Sequence, residues 1–317
     1  MNKQPHQLWS DFMAFSKVYI EINDADPMYP VLRNICNSFQ MDTEQRIEFC
    51  FWYMCWYNLR SALQAYLDNN CKCSDISAEQ ALYPIKLERR GLRGGSNIRK
   101  HWDSQCEQVR KAGGWVRWAE QRFQKPGTLE RGGAVISTSQ FNWQCAGHTI
   151  QEVWNNGRWA AYKGCELLGK VCGLNLTAPD MGHANSSNPR KALNLLFSGM
   201  PDKDDNSEAA IKTLDEASLD LMEQCLHHDV PVDRDLALLE TCCCGFYSLH
   251  RGDYYLGCDI DLMLEVAMEK NDTVRAMILG ARKDVFPNEY MGELHGWSHH
   301  DKPRLKIYRD YGDIVIR

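Results

Sequence analysis

The residues best suited to chemistry lie between Trp154 and Leu193, in WNNGRWAAYKGCELLGKVCGLNLTAPDMGHANSSNPRKAL. An Asn155-Asn156-Gly157 turn is followed at once by Arg158, Trp159, Ala160, Ala161, Tyr162 and Lys163, the opening of an amphipathic helix. The first N–H groups of a helix point outward and its dipole adds partial positive charge there, so this end suits a phosphate. Asp180 follows about twenty residues on, beside Pro179 and Gly182, after that helix and a connector. The chemistry implied is a grip on an anion followed by a carboxylate that accepts a proton or supports attack at carbon. A second reading makes Asp180 the N-cap of the next helix. Ser186, Ser187 and Arg190 suit a phosphate or a carboxylate, or else the segment is ordinary capping, with Ser187 or Asn188 before Pro189 at the first helical position. His183 titrates near neutrality and suits a proton shuttle, or is polar surface. Glu166, three residues beyond Lys163, can pair with it across the helix face.

Charge distribution points the same way. The net charge is −6, against wholesale coating of a polyanion, but residues 86–131 carry twelve Lys/Arg and five Asp/Glu. That segment is therefore +7 and the remainder −13, which suggests one localised polyanion site on an acidic body. Within it, RRGLRGGSN (89–97) combines glycines, which let backbone approach an anion, with Arg89, Arg90 and Arg93, whose guanidinium groups fork onto phosphate. The competing reading is a solvated helix face.

The elements that must position these groups read as helices. Helices are expected over 6–20 and 28–39, and a long one over 43–68 with Asp42 as N-cap and Gln45 at capping-box spacing. Phe49, Trp52, Tyr53, Trp56, Arg60 and Leu63 recur there at helical spacing, a core stripe with Asn58, Arg60 and Ser61 embedded in it. If buried, those polar groups need partners, and a binding site would supply them. Further helices are expected over 74–90 with a break at Pro84, then 97–112, 115–124, 190–197, 209–228, 233–247 and 259–270. Residues 125–139 read as a glycine- and serine-rich loop, 143–153 lead into the turn, and the tail beyond Pro303 forms a short strand or packs down.

Several classes are excluded or disfavoured. With 317 residues, 44% of them hydrophobic, the chain can bury one large or two smaller cores. Its longest apolar run, Phe49 to Tyr57, is too short to span a bilayer, and the first residues lack a signal-peptide core. None of the 14 cysteines forms a C-x-x-C pair, so small buried thiols in a reducing compartment are expected. Phosphate-loop, dinucleotide, zinc-protease and serine-hydrolase signatures are absent. His295 and His299 have the spacing of a helical zinc pair, but Gly296 and Pro303 weaken a helix there, and no metal is assigned.

A turn and helix that grip a phosphate backbone, with an aspartate beyond, resemble the helix-hairpin-helix DNA glycosylases, although their G-x-G hairpin is here Gly157-Arg158-Trp159. The blocks DADPMYPVLR (24–33), FWYMCWYNLRSALQAY (51–66), GRWAAYKGCELL (157–168) and APDMGHANSSNPRKALNLLF (178–197) resemble the amino acid:DNA transferases of bacterial viruses. Those belong to the alpha-glutamyl/putrescinyl thymine pyrophosphorylase group, related to the glycosylases. The resemblance implies a mainly α fold, a glycosylase-like helical bundle in two lobes with minor β at most. It suggests a helical lobe over 1–135, a helix-hairpin-helix-like catalytic lobe over 136–290 and a tail over 291–317. The implied reaction displaces pyrophosphate from 5-(pyrophosphoryloxymethyl)uracil in DNA with the amine of an amino acid, glycine favoured, or of a polyamine.

On that reading Asp180, Lys163 and His183 are the catalytic candidates. Arg89, Arg90, Arg93, Arg158 and Arg190 would hold phosphate and DNA. Asn58, Arg60, Trp159, Ser186 and Ser187 would contact substrate. No cofactor is assigned outright, and the pyrophosphate leaving group makes Mg²⁺ a candidate. The implied partners are double-stranded DNA with phosphorylated 5-hydroxymethyluracil, a free amino acid or polyamine, and an upstream DNA-base kinase, in the cytoplasm of an infected bacterial host and away from membrane. Two alternatives remain at this point: a glycosylase that uses Asp180 on a modified base, and a non-enzymatic DNA-binding viral protein.

Overall fold

The computed structural model describes residues 5–68, 92, 95–124, 129–131, 134–184, 186–251, 254, 256–260 and 271–286. The described chain is mainly helical, as expected, and divides into two compact units. One unit comprises residues 28–179 and 269–284; the other comprises 1–27, 180–268 and 285–317. By contact, therefore, the first 27 residues group with the segment that follows Pro179, a different partition from lobes drawn at residue 135.

The unit of residues 28–179 contains α2 (Met28–Ser38), α3 (Thr43–Trp56), α4 (Leu59–Asp68), α5 (Gly95–Ala112), α6 (Trp115–Arg122), α7 (Thr138–Gln151) and α8 (Arg158–Lys170). α3 starts where its capping box predicts: Asp42 accepts from the Gln45 N–H at 2.9 Å, and the Gln45 side chain accepts from the Asp42 N–H at 3.0 Å. The expected 43–68 helix is broken, however. Tyr57 takes a left-handed conformation (φ 50°), and Asn58 restarts the helix by accepting from the Ser61 N–H and hydroxyl, both at 3.1 Å. The apolar pattern runs through the break because both helices bury the same kind of side chain, which hides it from periodicity.

The aromatic stripe of α3 is core. Trp52 stacks on Trp102 of α5 at 3.8 Å between centroids and on Trp56 at 4.7 Å, while Phe51 stacks on Trp115 of α6 at 5.0 Å. α6 begins at Gly114, which has no side chain with which to cap it. Glu44 of α3 substitutes by accepting from the Trp115 N–H and, at 2.7 Å, from the Val116 N–H. A Cβ on Gly114 would lie 2.8 Å from Glu44 Oε1, and its φ of 129° is open to glycine alone, so the cap requires that residue.

Residues 125–139 differ from the expected loop. β1 (Leu129–Arg131) and β2 (Ala134–Ile136) pair antiparallel with Glu130 opposite Val135, and α7 then starts at Thr138 behind the N-cap Ser137. α7 and α8 form a helical hairpin across residues 152–157. Gly164 allows their approach, since a Cβ there would sit 2.8 Å from Ile150 Cδ1. α12 (Asp272–Val285) was not foreseen. The expected helix over 74–90, the tail, and 261–270 of the expected 259–270 helix lie outside the described residues.

The second unit packs α1 (Pro5–Glu21), α9 (Ser187–Leu196), α10 (Glu208–His227) and α11 (Leu236–Arg251). Trp9 donates its indole N–H to Leu196 O at 2.8 Å, and Phe12 meets Phe246 edge-on at 5.2 Å. The acids of the DADP block serve this unit. Asp24, fully buried, accepts from the Tyr254 hydroxyl and the Gly257 N–H, both at 2.6 Å, and from the Ile260 N–H at 3.2 Å. Asp26 accepts from Thr241 at 2.9 Å. Burial, reinforced by Asp259, pushes the Asp24 carboxyl well above its ordinary range.

The α6 cap is testable. Glu44→Ala is expected to cost about 1–2 kcal/mol, the upper range for a lost helix cap, read as a lower urea midpoint. Gly114→Ala should lower it as well. An unchanged midpoint in Glu44→Ala would show that water replaces the cap at no cost.

Candidate active site and nucleic-acid interface

The hairpin turn is firmly built. Asn155 adopts φ 65°, the Asn156 N–H bonds Val153 O at 3.0 Å, and its side chain donates to Ile150 O at 3.0 Å. The turn is also pinned to α5: the Trp154 N–H donates to Ser104 Oγ at 3.0 Å, and His101 Nδ1 lies 2.7 Å from Trp154 O. Gly157 starts α8 in an extended conformation with no side-chain cap, so the first-turn N–H groups have no capping acceptor from that residue. Arg158 and Trp159, the first two residues of α8, are exposed.

Further along α8, Glu166 is fully buried and compensated. Tyr29 of α2 donates to its Oε2 at 2.9 Å, Lys163 Nζ lies 2.7 Å from Oε2, and Lys170 Nζ lies 3.8 Å from Oε1. Both ammonium groups also sit 5.8 Å from the Tyr29 ring centre, where the π face attracts a cation. The expected Lys163–Glu166 pair is therefore present, and it leaves the Lys163 side chain only 14% exposed. Asn58, as described, caps α4, and Arg60 is buried beside it in the sequence.

In the other unit, Asp180 is half-buried and accepts from the Gly182 N–H at 2.7 Å, a local turn supported by the positive φ of Gly182 (64°). It caps no helix; Ser186 holds the N-cap position of α9. His183 is buried, with Nε2 2.8 Å from Ser218 Oγ. The Ser218 hydroxyl donates to Leu214 O at 2.7 Å, so its oxygen is left to accept and His183 donates from Nε2. Burial first, and then the charge of Arg190, pushes His183 down to about 4, so it is neutral at neutral pH. A histidine held there does not titrate near neutrality as its type alone suggests.

Asp215 of α10 completes this cluster. Its Oδ1 lies 3.9 Å from His183 Nε2 and is buried with no hydrogen-bond partner, while the side chain as a whole is 38% exposed. Burial, and next the negative charge of Asp180, raises Asp215 to about 6. The two carboxylates interact, and Asp215 is raised more by its burial than by the other acid. Sequence reading missed Asp215 and Ser218. Their one signal is the i, i+3 spacing of an acid and a hydroxyl on a helix, in a stretch that otherwise reads as a plain amphipathic face.

The remaining candidates have structural partners. Arg190 is 2% exposed; its guanidinium donates to Asn206 Oδ1 at 2.8 Å, to Asp202 O at 2.9 Å and to Asp205 O, closing the acidic loop against α9. In that loop the Asp202 and Asp205 carboxylates accept from the Asp204 and Ser207 N–H groups. Ser186 donates to Glu240 at 3.0 Å, and Ser187 is exposed. Arg89, Arg90, Arg93 and the His295/His299 pair lie outside the described residues. Twelve described cysteines are free thiols, and burial pushes several up, Cys225 to about 12, which keeps them protonated and unreactive. Among the described residues, no group of three His, Cys, Asp or Glu gathers to hold a metal.

The family model described as amino acid:DNA transferase matches residues 87–255, more than half of the 317-residue chain. The chain belongs to that family and is an enzyme of DNA modification. The turn, α8, Asp180, His183 and Asp215 all fall inside the matched segment, whereas the blocks at 24–33 and 51–66 lie before it. No curated protein and no solved structure matches the chain.

Carbon-detected NMR of the aspartate carboxyls provides the check on this cluster. Asp215 is expected to titrate near 6 and to move downward in Asp180→Asn, because removing a neighbouring negative charge favours its ionised form. An Asp215 value that does not respond to Asp180→Asn would separate the two acids.

Proposed function

We propose that Asp180 and Asp215 together handle the incoming amine. An amino acid reaches the enzyme as an ammonium ion, and its nitrogen attacks only after losing a proton. The negative charge of Asp180 would attract the ammonium, and Asp215, tuned to about 6, would take the proton. The neutral nitrogen would then form a bond to the exocyclic methylene carbon of the base as the carbon–oxygen bond breaks and pyrophosphate leaves with that electron pair. His183, kept neutral, adds no positive charge that would compete for the carboxylates. The observation that carries this reading is the unpartnered Asp215 Oδ1 beside Asp180 and a neutral histidine, inside the segment that matches the family.

The exposed Arg158 and the uncapped start of α8 suit DNA phosphate, with Arg89, Arg90 and Arg93 assigned to the same role from sequence. Lys163 acts through Glu166 by orienting α8. Ser187 and the half-buried Ser186 remain candidates for the donor carboxylate. Arg190 is left out of the phosphate set because its guanidinium is taken up by the 202–206 loop. The substrate is DNA with pyrophosphorylated 5-hydroxymethyluracil, supplied by a DNA-base kinase in the infected cell, and glycine is the favoured donor. No described helix is long and apolar enough to cross a membrane.

Mass spectrometry of nucleosides digested from pyrophosphorylated DNA incubated with the protein and an amino-acid pool is expected to show thymidine carrying one amine. Asp180→Asn and Asp215→Asn should each slow transfer, by about 10²- to 10⁴-fold if proton transfer is the lost step. The wild-type rate should fall as pH drops through about 6, where Asp215 becomes protonated and cannot accept. Abasic sites in place of the adduct would mark a glycosylase. DNA binding with neither product would mark a non-enzymatic role, and a full rate in Asp215→Asn would reassign the base.

A further inference from the structure

Among the described residues the exposed large hydrophobic side chains are Trp154, Trp159 and Leu219, and both tryptophans flank the hairpin turn. Trp154 is 41% exposed and Trp159 48%, whereas Trp52, Trp56, Trp102, Trp115, Trp118 and Trp143 are buried. Exposing two indoles forgoes burial of large apolar surface, a cost with no return inside the unit. A loose loop does not account for it. The Trp154 backbone is bonded on both sides to α5, through Ser104 and His101, so its ring is presented from a fixed point. Trp159 lies in the first turn of α8, with its ring against the edge of Tyr57 at 4.8 Å.

The surroundings of the two rings are cationic. Lys100 Nζ lies 5.8 Å from the Trp154 ring centre, and Arg158 is exposed next to Trp159 in the chain. Aromatic planes interleaved with cations and outward backbone N–H groups match one chemistry, the flat face of an unstacked base with its phosphate on either side. A protein partner with an apolar face would not call for that charge. We propose that Trp154 and Trp159 form a stacking platform for unpaired bases of the DNA substrate, with Lys100 and Arg158 on the flanking phosphates. The inference rests on DNA being the substrate and adds that the hairpin engages bases as well as backbone.

The test is fluorescence anisotropy with dye-labelled oligothymidylate, as a single strand and annealed to its complement, using the full chain. Trp154→Ala and Trp159→Ala are each expected to weaken single-strand binding by roughly 5- to 150-fold, the value of one base–aromatic stack, and to weaken duplex binding less. Trp154→Phe and Trp159→Phe should retain most of the affinity, because a ring remains. Arg158→Gln should weaken single strand and duplex alike and flatten the salt dependence. Alanine variants that bind as tightly as the wild type overturn the platform, as do phenylalanine variants as weak as the alanine ones. A wild type without affinity for the single strand overturns it whatever its transfer activity. A wild type that binds with this pattern but attaches no amine supports the platform and overturns the assigned transfer chemistry alone.

Discussion

A carboxylate shut away from water must be compensated by charge and hydrogen bonds, and Glu166 imposes that constraint on the unit of residues 28–179. It belongs to the hairpin helix α8, yet the groups that compensate it come from that helix and from α2: the Lys163 and Lys170 ammonium groups and the Tyr29 hydroxyl. Removal of one partner would strand a buried charge, which costs more than replacing the whole set with apolar residues. The set therefore fixes how α8 is rotated about its own axis. Rotation in turn decides which way Arg158 and Trp159 project, because residues of one helix keep constant angular offsets. The pins on Trp154 and the close approach at Gly164 set the other degrees of freedom of the same helix end.

The other unit solves a different electrostatic problem. His183 and Asp215 are shifted in opposite directions by their surroundings. Burial holds the histidine neutral, and burial first, then the charge of Asp180, keeps Asp215 from ionising as readily as a solvated acid. Arg190 contributes from a distance, since its charge disfavours protonation of His183 while its own donors are bound to the acidic loop.

What the sequence disclosed was local. The capping box at Asp42 and Gln45, the turn before Arg158 and the Lys163–Glu166 pair all depend on spacings of three or four residues, and each stands in the structure. What it withheld came from across the chain. Glu44 reaches Trp115, Tyr29 reaches Glu166, and Asp215 reaches His183, contacts that no periodicity encodes. The break at Tyr57 was hidden for the opposite reason, because apolar residues run uninterrupted through it. Arg190 looked like a phosphate ligand from its residue type and is a loop anchor from its burial. The mainly α class and the transferase family were legible because whole blocks carried them, whereas roles of single residues depended on neighbours distant in sequence.

The stacking of Trp52 on Trp102 and on Trp56 has an optical consequence. Indoles this close share their excited states, so the absorption of each ring couples to that of the next and the far-ultraviolet circular dichroism gains paired bands of opposite sign. Those bands overlap the helical signal, and helix content read from the usual minima would be biased. The Trp52–Trp102 share of that coupling is a native reporter of α3 docked on α5, lost when those two rings separate even if both helices persist, whereas the Trp52–Trp56 share stays within α3.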